Sequence, residues 1–198
     1  MTNNTIADQR AFYLPKSTKL TSGISGTKYY WIDSYVPAGF SAYISYAIAT
    51  WNDGNGVYNA GINLMRQTAN NAGTKLDFYR EYNYIDGDSQ KYARTRYFDA
   101  NDNLISINDP AKTKNYTYTE ITYSDLAFAN CSDWNAQVLG FANGLEMKLN
   151  ILAHEVGHAL GLNHTTNGPL RDRVMSDFGC VNVHKPSWLE LKSIDVLY

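Results

Sequence analysis

An α+β domain, a twisted mixed β-sheet with a histidine-bearing helix and a C-terminal helix packed against it, is the fold class the sequence predicts. Three observations predict it. β-prone aromatic segments come early, amphipathic helical segments interleave with them and gather late, and no repeat or Pro/Gly/Ser-rich linker splits the chain. The 198 residues fit one domain. Residues 1–27, polar and broken by Pro15, Gly23 and Gly26, read as an N-terminal arm, and 28–198 as a single domain.

The elements follow in chain order. Lys28–Tyr35, KYYWIDSY, is aromatic and β-prone and stops at Pro37 and Gly39. SAYISYAIATWND follows, with Ile44, Ala47, Ile48 and Trp51 at helical spacing, Ser41 as expected N-cap and DGNG as the stop. A second helical stretch is expected near Gly61–Asn71. Thr74–Tyr82 and Tyr116–Ser124 read as strands because β-branched and aromatic residues dominate them. Val138–Ala142, VLGFA, reads as another short strand. From about Leu145 the pattern turns helical: Leu145, Leu149, Leu152, Val156 and Leu160 form an apolar stripe that lasts to Gly161. PSWLELKSIDVLY then repeats Trp188, Leu191 and Ile194 at helical steps.

Composition narrows the function classes. A net charge of -2 and a pI near 6.0 leave no basic footprint for nucleic acid. No apolar run reaches the roughly 18 residues that span a bilayer. Plentiful Tyr, Asn, Thr and Ser beside few Lys and Arg suit an extracellular, secreted protein; MTNNTIADQR has no apolar signal core, so any export signal is absent or has been removed. A monomer is expected. Cys131 and Cys180, 49 positions apart, form a disulfide candidate that would contribute roughly 4 kcal/mol; buried apolar residues or free thiols are the competing readings. Asp99, Asn101 and Asn103 match the opening of a calcium loop, but Leu104 stands where a glycine is needed and Pro110 where a glutamate is. Ordinary turns are therefore expected there, with Ca2+ a secondary candidate.

The chemistry concentrates in HEVGHALGLNH, His154–His164, which holds three of the chain's four histidines. Residues four apart share a helix face, so His154 and His158 can reach one metal ion. Gly161 can end the helix in the left-handed conformation and let the chain double back to deliver His164. Three neutral imidazoles leave zinc with an open position, where bound water becomes acidic. Glu155, beside the first ligand without being one, is placed to take that water's proton as general base and return it to a leaving amine. Five fixed positions, three of them a rare residue, separate the pattern from an accidental HExxH.

HEVGHALGLNH resembles the extended zinc motif of the metzincin metallopeptidases, HExxHxxGxxH. Met175 in RVMSD matches the methionine turn of that family, and the strand–helix–strand opening and the final IDVLY look like small bacterial matrixin-like catalytic domains. The resemblance implies a zincin-like fold holding one catalytic Zn2+ on His154, His158 and His164, with Glu155 as base and Met175 as an apolar floor. It implies a zinc endopeptidase acting on extended protein or peptide substrates; a catalytically silent metzincin-like binding domain is the alternative. It also implies an edge strand for substrate, sought at Val138–Asn143, and a pocket wall at Phe178–Lys185. The chain departs from the family at two places: only His184 remains for a second, structural zinc, with Cys131 and Cys180 the remaining donors, and Asp177 stands where some members carry a tyrosine. In a third reading, a zincin of another clan, Glu190 would replace His164 as ligand.

Overall fold

The computed structural model describes residues 18–54, 56, 58–106, 115–139, 141–164, 173–176 and 184–198. Its frame is a six-stranded mixed sheet of β1 (Lys28–Ile32), β2 (Leu64–Gln67), β3 (Leu76–Glu81), β4 (Ala93–Phe98), β5 (Leu104–Ile105) and β6 (Tyr118–Ser124). Across the sheet the order is β2-β1-β3-β6-β4-β5. The first four in that order run parallel, and β4 pairs antiparallel with both β6 and β5. Alternation sorts the faces: Tyr30 and Ile32 of β1 are buried while Tyr29 is exposed.

Between β1 and β2 lies helix α1 (Ala38–Asp53). It begins three residues before the expected cap: Pro37, at φ -57, occupies the N-cap with no side-chain cap, and its carbonyl accepts from Phe40 and Ser41. The helix buries Ile44, Ala47, Ile48, Thr50 and Trp51. Trp51 Nε1 donates to the Ala153 carbonyl at 2.9 Å, tying this helix to the histidine helix.

The stretch near Gly61–Asn71 is not helical; it contains β2, which runs parallel to β1 from Lys28↔Leu64. Asn52 explains the choice. Its side-chain amide donates to the Leu64 carbonyl and its oxygen accepts from the Leu64 N–H, both at 2.9 Å, holding the strand's first residue extended while Leu64 itself is buried.

The described residues of Val138–Ala142 form no strand either. Ser132 caps α3 (Asp133–Val138) by accepting from Asn135 N, Leu139 is the C-cap, and Phe141 turns inward, its N–H on the Ala136 carbonyl. A short α2 (Asp125–Ala129) precedes it, capped by Ser124. The histidine helix α4 (Gly144–Ala159) starts where Asn143 accepts from Glu146 N. Its buried face takes in Met147 as well as Leu149, Leu152 and Val156, while Leu145 is 46% exposed. The last helix, α5 (Trp188–Leu197), carries a capping box between Ser187 and Glu190. Leu191 and Ile194 are fully buried.

At Asp99–Asn103, where ordinary turns are expected, Asp99 Oδ1 accepts from the backbones of Asn101 and Asn103, an Asx turn joining β4 to β5. Leu20, inside the arm, is buried and bridges to Tyr116. Among the described residues no helix is long and apolar enough to cross a membrane.

Candidate metal centre

Helix α4 brings His154 and His158 to one side, and its end brings the third histidine back. Gly161 N donates to the His158 carbonyl and Leu162 N to the Gly157 carbonyl, the two bonds of a Schellman ending. The glycine sits at φ +97, in the left-handed region. The chain reverses there, as the sequence predicts. His164 Nε2 then lies 2.9 Å from His154 Nε2 and 3.0 Å from His158 Nε2.

The tautomers follow from the outer nitrogens. His154 Nδ1 lies 2.7 Å from the Val174 carbonyl and His158 Nδ1 lies 2.8 Å from the Leu162 carbonyl. A carbonyl only accepts, so both Nδ1 atoms carry the proton and both inner Nε2 atoms present lone pairs. Those lone pairs and that of His164 converge, with at most one proton among them. Such a donor set fits a cation. Tetrahedral zinc with nitrogens at about 2.0–2.1 Å spaces its ligands about 3.3 Å apart, within a few tenths of an ångström of the separations here. The three are the only such group of His, Cys, Asp or Glu among the described residues. Burial, and then the neighbouring His154 and His164, hold the His158 imidazole well below its ordinary pKa, in the neutral form that ligates.

Glu155 is buried, at 8% exposure. Burial pushes its carboxyl above the usual range, against the pull of His154 and of a hydrogen bond from Thr95. Thr95, on β4, donates to Glu155 Oε2 at 2.6 Å. Tyr97, two residues on and facing the same way, donates to the His158 carbonyl at 3.2 Å. Strand β4 is thus riveted to the site helix by its side chains.

Met175 is fully buried under α4. A Cβ at Gly157 would lie 2.3 Å from Met175 Sδ and 2.9 Å from the Trp51 ring, so the glycine between the histidines lets the floor approach. The Met175 N–H donates to Glu190 Oε1 at 2.7 Å, and the Ser187 N–H to Glu190 Oε2 at 2.6 Å. Glu190 is therefore committed to backbone and stands outside the histidine group, against its reading as a ligand.

A cleft of about 730 Å³ opens over the site, lined by His154, Glu155 and His164, by Lys91, Tyr92 and Ala93 on one side, and by Phe141, Met147 and Ile151 on the other. With no strand among the described residues of Val138–Asn143, the edge beside this cleft belongs to β4. Its far side pairs with β5 only at Tyr97 and Phe98, which leaves Ala93–Arg96 without a second strand partner among the described residues. Sequence reasoning missed β4 and Thr95. The only local signal was weak alternation in ARTRYF, diluted by two arginines.

Cys131 is buried with a free thiol, and burial pushes that thiol up to about 12. Cys180, Asp177 and most of the expected pocket wall at Phe178–Lys185 lie outside the described residues. His184 is held between Glu146 Oε2 at 2.5 Å and the Tyr46 hydroxyl at 2.9 Å.

No protein-family model matches the chain, and no curated protein does. Among solved structures it is similar to the archaemetzincin of Methanopyrus kandleri, at 16% identity and a TM-score of 0.47, over 88% of this chain and 96% of that one. That is a likeness of outline and says nothing of chemistry.

Proposed function

We propose that the protein is a zinc-dependent endopeptidase of metzincin type, cutting extended protein or peptide substrates. One observation carries the reading: the Nε2 atoms of His154 and His158 lie 2.9 and 3.0 Å from that of His164, with the Nδ1 atoms of the first two already committed to carbonyls. His154, His158 and His164 would hold the ion. Zinc bound there supplies Lewis acidity, which acidifies water and polarises a carbonyl.

The chain's own groups do the rest. Glu155 Oε2 is occupied by Thr95, and Oε1 has no hydrogen bond to another described residue. The free oxygen takes the proton of the attacking water and hands it to the departing amine. Burial of the carboxyl favours taking that proton, because a desolvated carboxylate binds a proton more firmly. An extended substrate would add to the open edge of β4 along Ala93–Arg96, placing alternate side chains toward the cleft. The resemblance of Met175 to the family's turn and its packing against Gly157 support the same reading. Action outside the cell, as a monomer, belongs to the proposal.

The test is metal analysis beside cleavage of a mixed peptide library, with Glu155→Ala as control. One zinc per chain, chelator-sensitive cleavage and a variant that keeps zinc but loses turnover are expected. Zinc-loaded protein that binds peptides and cleaves none would favour the silent binding domain.

A further inference from the structure

We infer that Thr95 is the positioning residue for the Glu155 carboxylate, and that its hydroxyl decides which of the two carboxylate oxygens is left to work. The inference rests on the peptidase reading and names a residue that HEVGHALGLNH does not contain. A threonine hydroxyl has one proton. Two acceptors lie within reach, Glu155 Oε2 at 2.6 Å and the Glu155 backbone carbonyl at 3.1 Å. The shorter contact has the length of a charge-assisted bond and takes the proton.

The hydroxyl is itself fixed. Thr95 sits mid-strand, paired antiparallel with Ile121 of β6, and its branched side chain has few rotamers in a strand. Tyr97 holds the same helix one turn on, at the His158 carbonyl. The distance from strand to helix is therefore set at two points, and the carboxylate is pinned by one oxygen. Glu155 lines the cleft, and its other oxygen accepts no hydrogen bond from a described residue. A carboxylate pinned on one side presents a single basic atom in a single place, which general-base catalysis by a short side chain requires.

The experiment compares Thr95→Val, which keeps the shape and removes the hydroxyl, with Thr95→Ser, which keeps the hydroxyl, in zinc-loaded full-length protein. Valine should lower kcat by about 10- to 100-fold with KM within about 2-fold, and leave one tightly held zinc. Serine should recover most of that loss. A valine variant that turns over like wild type, or a serine variant as poor as valine, would overturn the inference while leaving the peptidase reading intact. The second readout needs no turnover. In a crystal structure of Thr95→Val the Glu155 carboxylate should leave its wild-type position, and an unmoved carboxylate would overturn the inference even if no peptide is ever cleaved. Should valine prevent folding, Thr95→Ala is judged by the same measurements.

Discussion

Two buried glutamates, one at the base of the cleft and one beneath the Met175 turn, show how the same group serves opposite ends. Glu155 and Glu190 both lie on helices, and burial raises both carboxyls above the ordinary range. Glu190 is fully enclosed, and each of its oxygens accepts a backbone N–H. Glu155, which lines the cleft, has one oxygen tied by Thr95, and the other accepts from no described residue. A carboxylate satisfied on both sides is a brace; one satisfied on a single side keeps an oxygen for another partner. Glu190 braces the site at one remove, because the residue before Met175 supplies the carbonyl that orients His154.

The largest expected effect is on Glu155→Gln. Peptide turnover should fall by about 10²- to 10⁴-fold while zinc stays bound, measured by steady-state kinetics beside metal analysis. Its folding stability in urea should not fall. Glu190→Gln should do the reverse: an amide has one acceptor and cannot serve two N–H groups, so about 2–3 kcal/mol of stability should be lost. Equal stability losses in the two variants would erase the distinction between them.

The floor between the two carboxylates gives a sharper, smaller test. Gly157→Ala would drive a methyl into Met175 and Trp51, at a cost of about 1–3 kcal/mol in chemical denaturation. Zinc affinity should drop with it, since the Met175 that the methyl displaces follows Val174, whose carbonyl holds His154.

The smallest effect is expected at a third buried carboxyl, Asp77 on β3, remote from the cleft and 2% exposed. Burial pushes it up to about 6, against hydrogen bonds from Thr74 and Asn71. Because the folded value is raised, the stability it contributes is complete below the ordinary 3.8 and is lost as pH rises through about 6. The stability of Asp77→Asn relative to wild type should therefore move in the variant's favour between pH 4 and pH 7, read from urea melts at the two pH values.

Legibility in the sequence divides along the sheet. The central parallel strands β1, β3 and β6 were readable because burial selects aromatic and β-branched residues there. The antiparallel flank was not. Strand β4 keeps Arg94 for Asp86 on one face and spends Thr95 and Tyr97 on polar contacts with α4 on the other, so its pattern resembles no ordinary strand. Strand β2 misled because what holds it extended is Asn52, twelve residues earlier. VLGFA misled for a local reason: Ser132 starts a helix that runs into its first residue. The histidine site was legible nearly whole because eleven consecutive residues build it, whereas Thr95 and Glu190 come to it through contacts 60 and 15 residues distant.

Gly161 does more than reverse the chain. A Cβ there would lie 2.5 Å from Leu197 Cδ2, so the last helix nests against the very corner that presents His164. Any side chain at that corner would act as a wedge, prying the terminal helix outward and swinging one imidazole off its mark in the same movement. Re-engineering the tail and re-engineering the cation seat are, in this molecule, one problem.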